Sequence, residues 1–205
     1  MAARKLIYQF RVTLLGIEPA IWRRIQVSEN YTFWDLHVAI QDAMGWLDYH
    51  LHAFQIKNPH RRESIEIGIP DTDTGIGRDV LAGWEVPIAD YFDKPGDAVA
   101  YDYDFGDSWQ HEVLLEGILL KEPSVKYPVC MAGENACPPE DCGGIPGFER
   151  LLETLAHPKS REYKETTSWL EGHVKNYFPY HPDRFDAAQV KFTNPTKRWK
   201  TAFGD

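Results

Sequence analysis

The stretch that leaves this chain least freedom is Tyr101–Gly147, YDYDFGDSWQHEVLLEGILLKEPSVKYPVCMAGENACPPEDCGGIPG. Val99–Tyr103 and Trp109–Leu120 alternate apolar and polar residues, the period of a half-buried strand. Between them Asp104-Phe105-Gly106-Asp107-Ser108 places a glycine in the bend, so a β-hairpin or bulged turn is expected. In that register Trp109, His111 and Val113 share one face, and Gln110, Glu112 and Leu114 share the other. A proline- and glycine-rich loop follows, and the stretch contains all three cysteines of the chain.

The flanking segments predict a compatible body. Leu6–Leu15 alternates Tyr8, Phe10, Val12 and Leu14 against Gln9, Arg11 and Thr13. Gly16-Ile17-Glu18-Pro19 then turns the chain into Ala20–Val27, which should pair with it as an antiparallel hairpin. Thr32 is placed as an N-cap with Asp35 in the capping-box position, opening a helix Phe33–Met44 that Gly45 ends. Its apolar stripe is Leu36, Ala39, Ile40 and Ala43. Tyr49–Lys57 reads as a third strand, with His50, His52, Phe54 and Ile56 on one face.

Strand, strand, helix, strand suggests a β-grasp-like arrangement. The fold class expected is therefore α+β, a mixed or antiparallel sheet with packed helices and an additional C-terminal helical portion. Ser64–Ile69 and Trp84–Ile88 are short enough for edge strands or loop. Gly147–His157 and Ser160–Asn176 have helical spacing, and PDRFDAAQV suggests a last helix capped near Asp183. At 205 residues the chain fits one large domain or two small ones. We assign 1–190 to a single α+β domain and 191–205 to an extended or frayed tail.

Composition limits the partners. A net charge of −9 repels a polyphosphate backbone and disfavours direct nucleic-acid binding. The basic spots at Arg23-Arg24, Arg61-Arg62 and Lys197-Arg198-Lys200 read as solvated faces, although the first two pairs are the places where DNA would be contacted. No segment approaches the roughly 20 apolar residues of a membrane span. The basic-then-apolar N-terminus alternates like a strand rather than a secretion signal, so the expected location is cytoplasmic. In DTDTGIGRD, Asp71 and Asp73 precede a glycine as in a calcium loop, but the closing glutamate is missing and a turn-rich loop is the simpler reading. Trp34, Trp46, Trp84, Trp109 and Trp169 are scattered, as core and sheet packing would scatter them.

Two constellations could carry chemistry. The cysteines stand at C-x6-C-x4-C, looser than the paired C-x2-C knuckles of strong zinc motifs. A glycine- and proline-rich loop can still wrap a tetrahedral ion, so a zinc site of Cys130, Cys137, Cys142 and His111, or His52 in its place, is one expectation, and reduced, partly buried thiols are the alternative. The second constellation is Asp104, Asp107, His111 and Glu112, with Glu140 and Asp141 supplied by the loop. A metal-dependent hydrolase using Asp107, His111 and Glu140 could be built from it. Aspartates beside glycine more often cap backbone N–H groups, and a strand histidine beside tryptophan is more often a core residue. His50 and His52 have a spacing that can bind metal, which a half-buried polar face explains equally well. In PPED, two prolines stiffen the loop, Glu140 and Asp141 present paired carboxylates, and Gly143-Gly144 permits positive φ.

The motifs YDYDFGDSWQHEV and CMAGENACPPEDCGGIPGFERLL, preceded by FWDLHVAIQDAMGW and HLHAFQI, resemble the plasmid pRiA4b ORF-three-like family, whose members are also labelled passenger proteins of insertion elements. The likeness runs from about Tyr8 to about Val190. It implies an α+β fold and no established activity. The residues matching the family are Asp104, Phe105, Gly106, Asp107, Trp109, His111, Pro138, Pro139, Glu140, Asp141, Gly143 and Gly144. Together these readings point to a non-enzymatic interaction or accessory module with a protein partner, linked to mobile-element or plasmid DNA functions. Its contact surface is expected at a binding ridge of Asp104, Asp107, Trp109, Glu140, Asp141, Gly143 and Gly144.

Overall fold

The structure, a computed structural model, describes residues 5–57, 64–70 and 80–204. Strands β1 (Leu6–Leu14) and β2 (Ile21–Ser28) form the expected antiparallel hairpin, with Phe10 opposite Ile25. Tyr8, Phe10, Val12 and Leu14 are buried, while the polar residues between them are half-buried. Helix α1 (Phe33–Met44) starts where the capping box places it. Thr32 Oγ1 accepts from Asp35 N at 3.2 Å, and Asp35 Oδ2 accepts from Thr32 N at 3.0 Å. Such a cap contributes about 1 kcal/mol. Gly45 ends the helix with φ of 89°.

Strands β3 (His52–Lys57), β4 (Ser64–Gly68) and β5 (Val80–Ala82) follow, then the hairpin of β6 (Ala98–Tyr103) and β7 (Trp109–Leu120), and β8 (Val129–Glu134). Helices α2 (Gly144–Leu155), α3 (Arg161–Gly172) and α4 (Pro195–Phe203) complete the chain. The eight strands form one sheet in the order β5-β4-β3-β6-β7-β1-β2-β8. Every described ladder is antiparallel except β4–β5. The sheet is thus mixed and the fold α+β. The β6–β7 hairpin lies between β3 and β1, so later strands complete the sheet that β1, β2 and β3 begin.

Helix α1 closes one sheet face. Phe33 and Phe54, both fully buried, meet edge to face at 5.0 Å between centroids, and burying such a side chain is worth roughly 1.5–3 kcal/mol. Arg23 crosses this region with 1% exposure, donating from Nε to Ala43 O and from Nη1 to Trp22 O and Glu134 O, with its guanidinium over the Phe185 ring.

Four local readings change. The edge strand near residue 84 lies earlier, at Val80–Ala82, and Trp84 stands in the turn after it. PDRFDAAQV forms only a single 3-10 turn, Ala187–Gln189, capped by Asp186. The loop before the PPED segment contributes β8, a sheet-edge strand paired to β2. The tail is not frayed, because Asn194 caps α4, and Arg198 donates to Asp42 Oδ1 at 2.7 Å and to Asp48 Oδ2 at 3.0 Å. Phe203 packs near Trp34 and Trp84 at 5.7 Å from each. The α4 sequence is polar and has little apolar periodicity, so tertiary contacts rather than patterning hold it. The segments containing Asp71 and Asp73 and containing Arg61 and Arg62 lie outside the described residues.

Candidate functional site

The turn between β6 and β7 and the PPED loop fold onto each other. Asp104, with φ of 54°, uses Oδ1 to accept from Gly106 N at 3.0 Å and Asp107 N at 3.2 Å, which shapes the bend. Asp107 Oδ2 then accepts from Gly143 N at 3.0 Å and ties the bend to the loop. Gly144 (φ 66°) is a necessity here, because a Cβ on it would lie 2.6 Å from the main-chain oxygen of Asp107. The glycine pair therefore lets two backbones approach where any side chain would hold them apart.

His50 enters from the segment before β3. Its Nε2 lies 2.9 Å from Asp141 Oδ1 and 3.5 Å from Asp104 Oδ2. Periodicity put His50 and His52 on one strand face, but the strand begins at His52 and the two rings part company. His50 is half-buried at the surface, whereas His52 is buried and stacks on His37 at 3.4 Å between centroids. Burial, then the charge of His37, lowers the His52 pKa well below its usual value.

Asp104, Trp109, Glu140 and Gly144 of the expected ridge are buried, leaving Asp141 and Gly143 exposed and Asp107 half-buried. Glu140 is 1% exposed. Its Oε1 accepts a short hydrogen bond from the Tyr103 hydroxyl, and its Oε2 accepts from Leu47 N at 2.5 Å. Burial raises its pKa, against the pull of those donors. Trp109 lies 6.0 Å from Trp46, whose Nε1 donates to Pro138 O at 3.0 Å, so the loop is anchored through aromatic packing. His111 is sealed as well. Its Nδ1 donates to Tyr101 O at 3.2 Å, Nε2 has no hydrogen-bond partner among the described residues, and burial brings its pKa down to about 4.

These placements decide both constellations. Asp107, His111 and Glu140 stand in three different environments, one bound to the loop and two sealed in the core, and do not form an open catalytic triad. The thiols and His111 do not assemble either. Among the described residues, no set of three donors close enough to share an ion includes a cysteine. Cys130 and Cys137 are buried and Cys142 is half-buried. Burial raises the pKa of all three, that of Cys142 to about 12, which keeps the thiols protonated.

One buried network was not foreseen. Gln41 Nε2 donates to the Tyr101 hydroxyl at 2.9 Å, which meets His37 Nδ1 at 2.8 Å, and His37 Nε2 meets Asp48 Oδ1 at 2.8 Å. Arg198 closes the chain on Asp48. The available signal was that His37 and Gln41 lie four apart on a helix that is apolar almost all round.

The family profile described as Plasmid pRiA4b ORF-3-like protein matches residues 6–189. The chain belongs to this family. It is 32% identical over 165 residues to the uncharacterized protein y4hQ of Sinorhizobium fredii, covering 80% of each chain. It is also similar to a crystal structure of a protein of unknown function from Methanosarcina mazei Go1, with TM-score 0.80, 41% identity, and coverage of 93% of this chain and 100% of that one. Among the described residues, no helix is long and apolar enough to cross a membrane.

Proposed function

We propose that this pRiA4b ORF-3-like chain is a non-enzymatic interaction module that binds a protein partner at the hairpin–loop junction. One observation carries the reading: Tyr49, Leu51 and Phe105 are 62%, 55% and 56% exposed, and each adjoins a residue of the His50–Asp104 pair. The Asp104 N to Leu51 O hydrogen bond at 3.0 Å brings the two segments together. Large apolar side chains gathered at one exposed place mark association surfaces. The rigid junction beneath them reduces the ordering cost of binding. The plasmid in the family's description supports a partner from plasmid or mobile-element DNA processing. The alternative of direct DNA contact loses support at Arg23, which is buried, and at Arg24, whose guanidinium is forked onto Glu116 at 2.5 and 2.9 Å.

The test is quantitative affinity enrichment from cell extract with the intact chain and with a Tyr49→Ser, Leu51→Ser, Phe105→Ser variant. The reading expects at least about a tenfold loss of the enriched partner from the variant, the size of one modest hot spot. Equal recovery by both proteins would refute it.

A further inference from the structure

Three donor atoms from three separate segments converge at the junction. His50 Nε2, Asp104 Oδ2 and Asp141 Oδ1 all lie within 4.8 Å of one another, and among the described residues they are the one such group of three His, Cys, Asp or Glu donors. The Asp104 side chain is 10% exposed. Its Oδ1 is satisfied by two main-chain N–H groups, while Oδ2 accepts no hydrogen bond among the described residues and is aimed at the same point. Among the described residues Oδ2 has only the long ionic contact with His50 Nε2 at 3.5 Å, which leaves its charge weakly compensated.

An imidazolium proton does not fill the gap. His50 Nε2 carries at most one hydrogen, and at 2.9 Å that hydrogen serves Asp141, leaving Asp104 Oδ2 at 3.5 Å, beyond ordinary hydrogen-bond length. A metal ion between the three atoms serves all of them. We propose that His50, Asp104 and Asp141 bind a divalent transition-metal ion of the zinc class. One imidazole nitrogen with two carboxylates suits zinc or cobalt, whereas calcium requires six to eight oxygens. The two carboxylates neutralise the ion, and three protein ligands leave a coordination position open. The half-buried His50 and exposed Asp141 form the solvent side through which an ion enters.

This site uses none of the thiols and different side chains from the neighbouring partner surface, and the full-length chain tests it. Metal-free protein is titrated with zinc by calorimetry and with cobalt(II) by visible absorption. The expected result is one ion per chain with a dissociation constant of about 10 μM or tighter. His50→Ala and Asp141→Asn should each weaken binding at least tenfold, and a variant with all three cysteines changed to serine should bind like the parent. The cobalt complex should show d–d bands without a thiolate charge-transfer band. Both surface variants are chosen so that the Asp104 turn stays intact. Binding of less than one ion in ten chains, unchanged affinity in His50→Ala, or loss of binding in the cysteine variant would each overturn the proposal.

Discussion

His50 and His111 both stand beside a β6 tyrosine, at 5.9 Å from Tyr103 and 5.2 Å from Tyr101 between ring centroids, yet they have opposite surroundings. His111 is roofed by Trp46 and Tyr101, offers one nitrogen to a main-chain oxygen and is held neutral by burial. His50 faces two carboxylates at the surface. Neighbouring carboxylates divide in the same way, with Glu140 sealed under the loop and Asp141 open to water. Adjacent positions with the same chemistry thus divide into scaffold and site according to the direction each side chain takes from a stiff loop.

The sharpest way to break this contrast is to remove both carboxylates in turn. Glu140→Ala strands the Tyr103 hydroxyl and Leu47 N in the interior and should cost roughly 3 kcal/mol in urea unfolding, whereas Asp141→Ala should change stability by about 0.5 kcal/mol or less. Comparable losses would erase the distinction.

Acid titration comes next in size. His52 and His111 have folded pKa values below their unfolded ones, so the unfolded chain takes up protons first. Their contribution is complete above about pH 6.5 and declines as pH falls toward the folded value, about 4 for His111, by about 1.4 kcal/mol per pH unit for each proton. Glu140, with its pKa raised, works in the opposite sense, because its contribution declines as pH rises past the unfolded carboxyl range. Denaturation midpoints measured across this window should fall on acidification, and less steeply for His111→Gln; an equal slope would show that His111 is not sealed.

Arg198→Ala should cost about 1–2 kcal/mol, between the values for exposed and fully buried pairs, since Arg198 is 19% exposed and its partners Asp42 and Asp48 are 6% and 8% exposed. Hydrogen exchange should report the loss in α4 before the sheet. The smallest change is expected on the open side, where the Tyr49, Leu51 and Phe105 serine variant should keep its midpoint within about 0.5 kcal/mol. A large loss there would make those side chains part of the core.

What was legible in the sequence followed the range of the interactions involved. The Thr32–Asp35 box, Gly45 and the alternation through β1, β2, β6 and β7 are local, and the structure reproduces them. The closure of the loop on the Asp107 turn was also readable, because the glycine pair and the bend each announce themselves. The position of α4 was not, because Arg198 meets acids 150 and 156 residues away. β8 was hidden by the cysteines and glycines of a stretch that reads as loop. At the site, residue types were visible but orientation was not. Whether a histidine looks inward or outward beside a strand end depends on where the ladder starts, and a three-residue shift of that start, from Tyr49 to His52, was enough to leave His50 outside it.

The contact between Gly144 and the main-chain oxygen of Asp107 works like the stop on a vise. The gap between the jaws that bear Asp104 and Asp141 is fixed by the frame and does not depend on what is gripped. Ligand atoms at positions 50 and 141 can therefore be exchanged by evolution or by an engineer without resetting the distance between the jaws, whereas a single methyl group at position 144 would open the whole device.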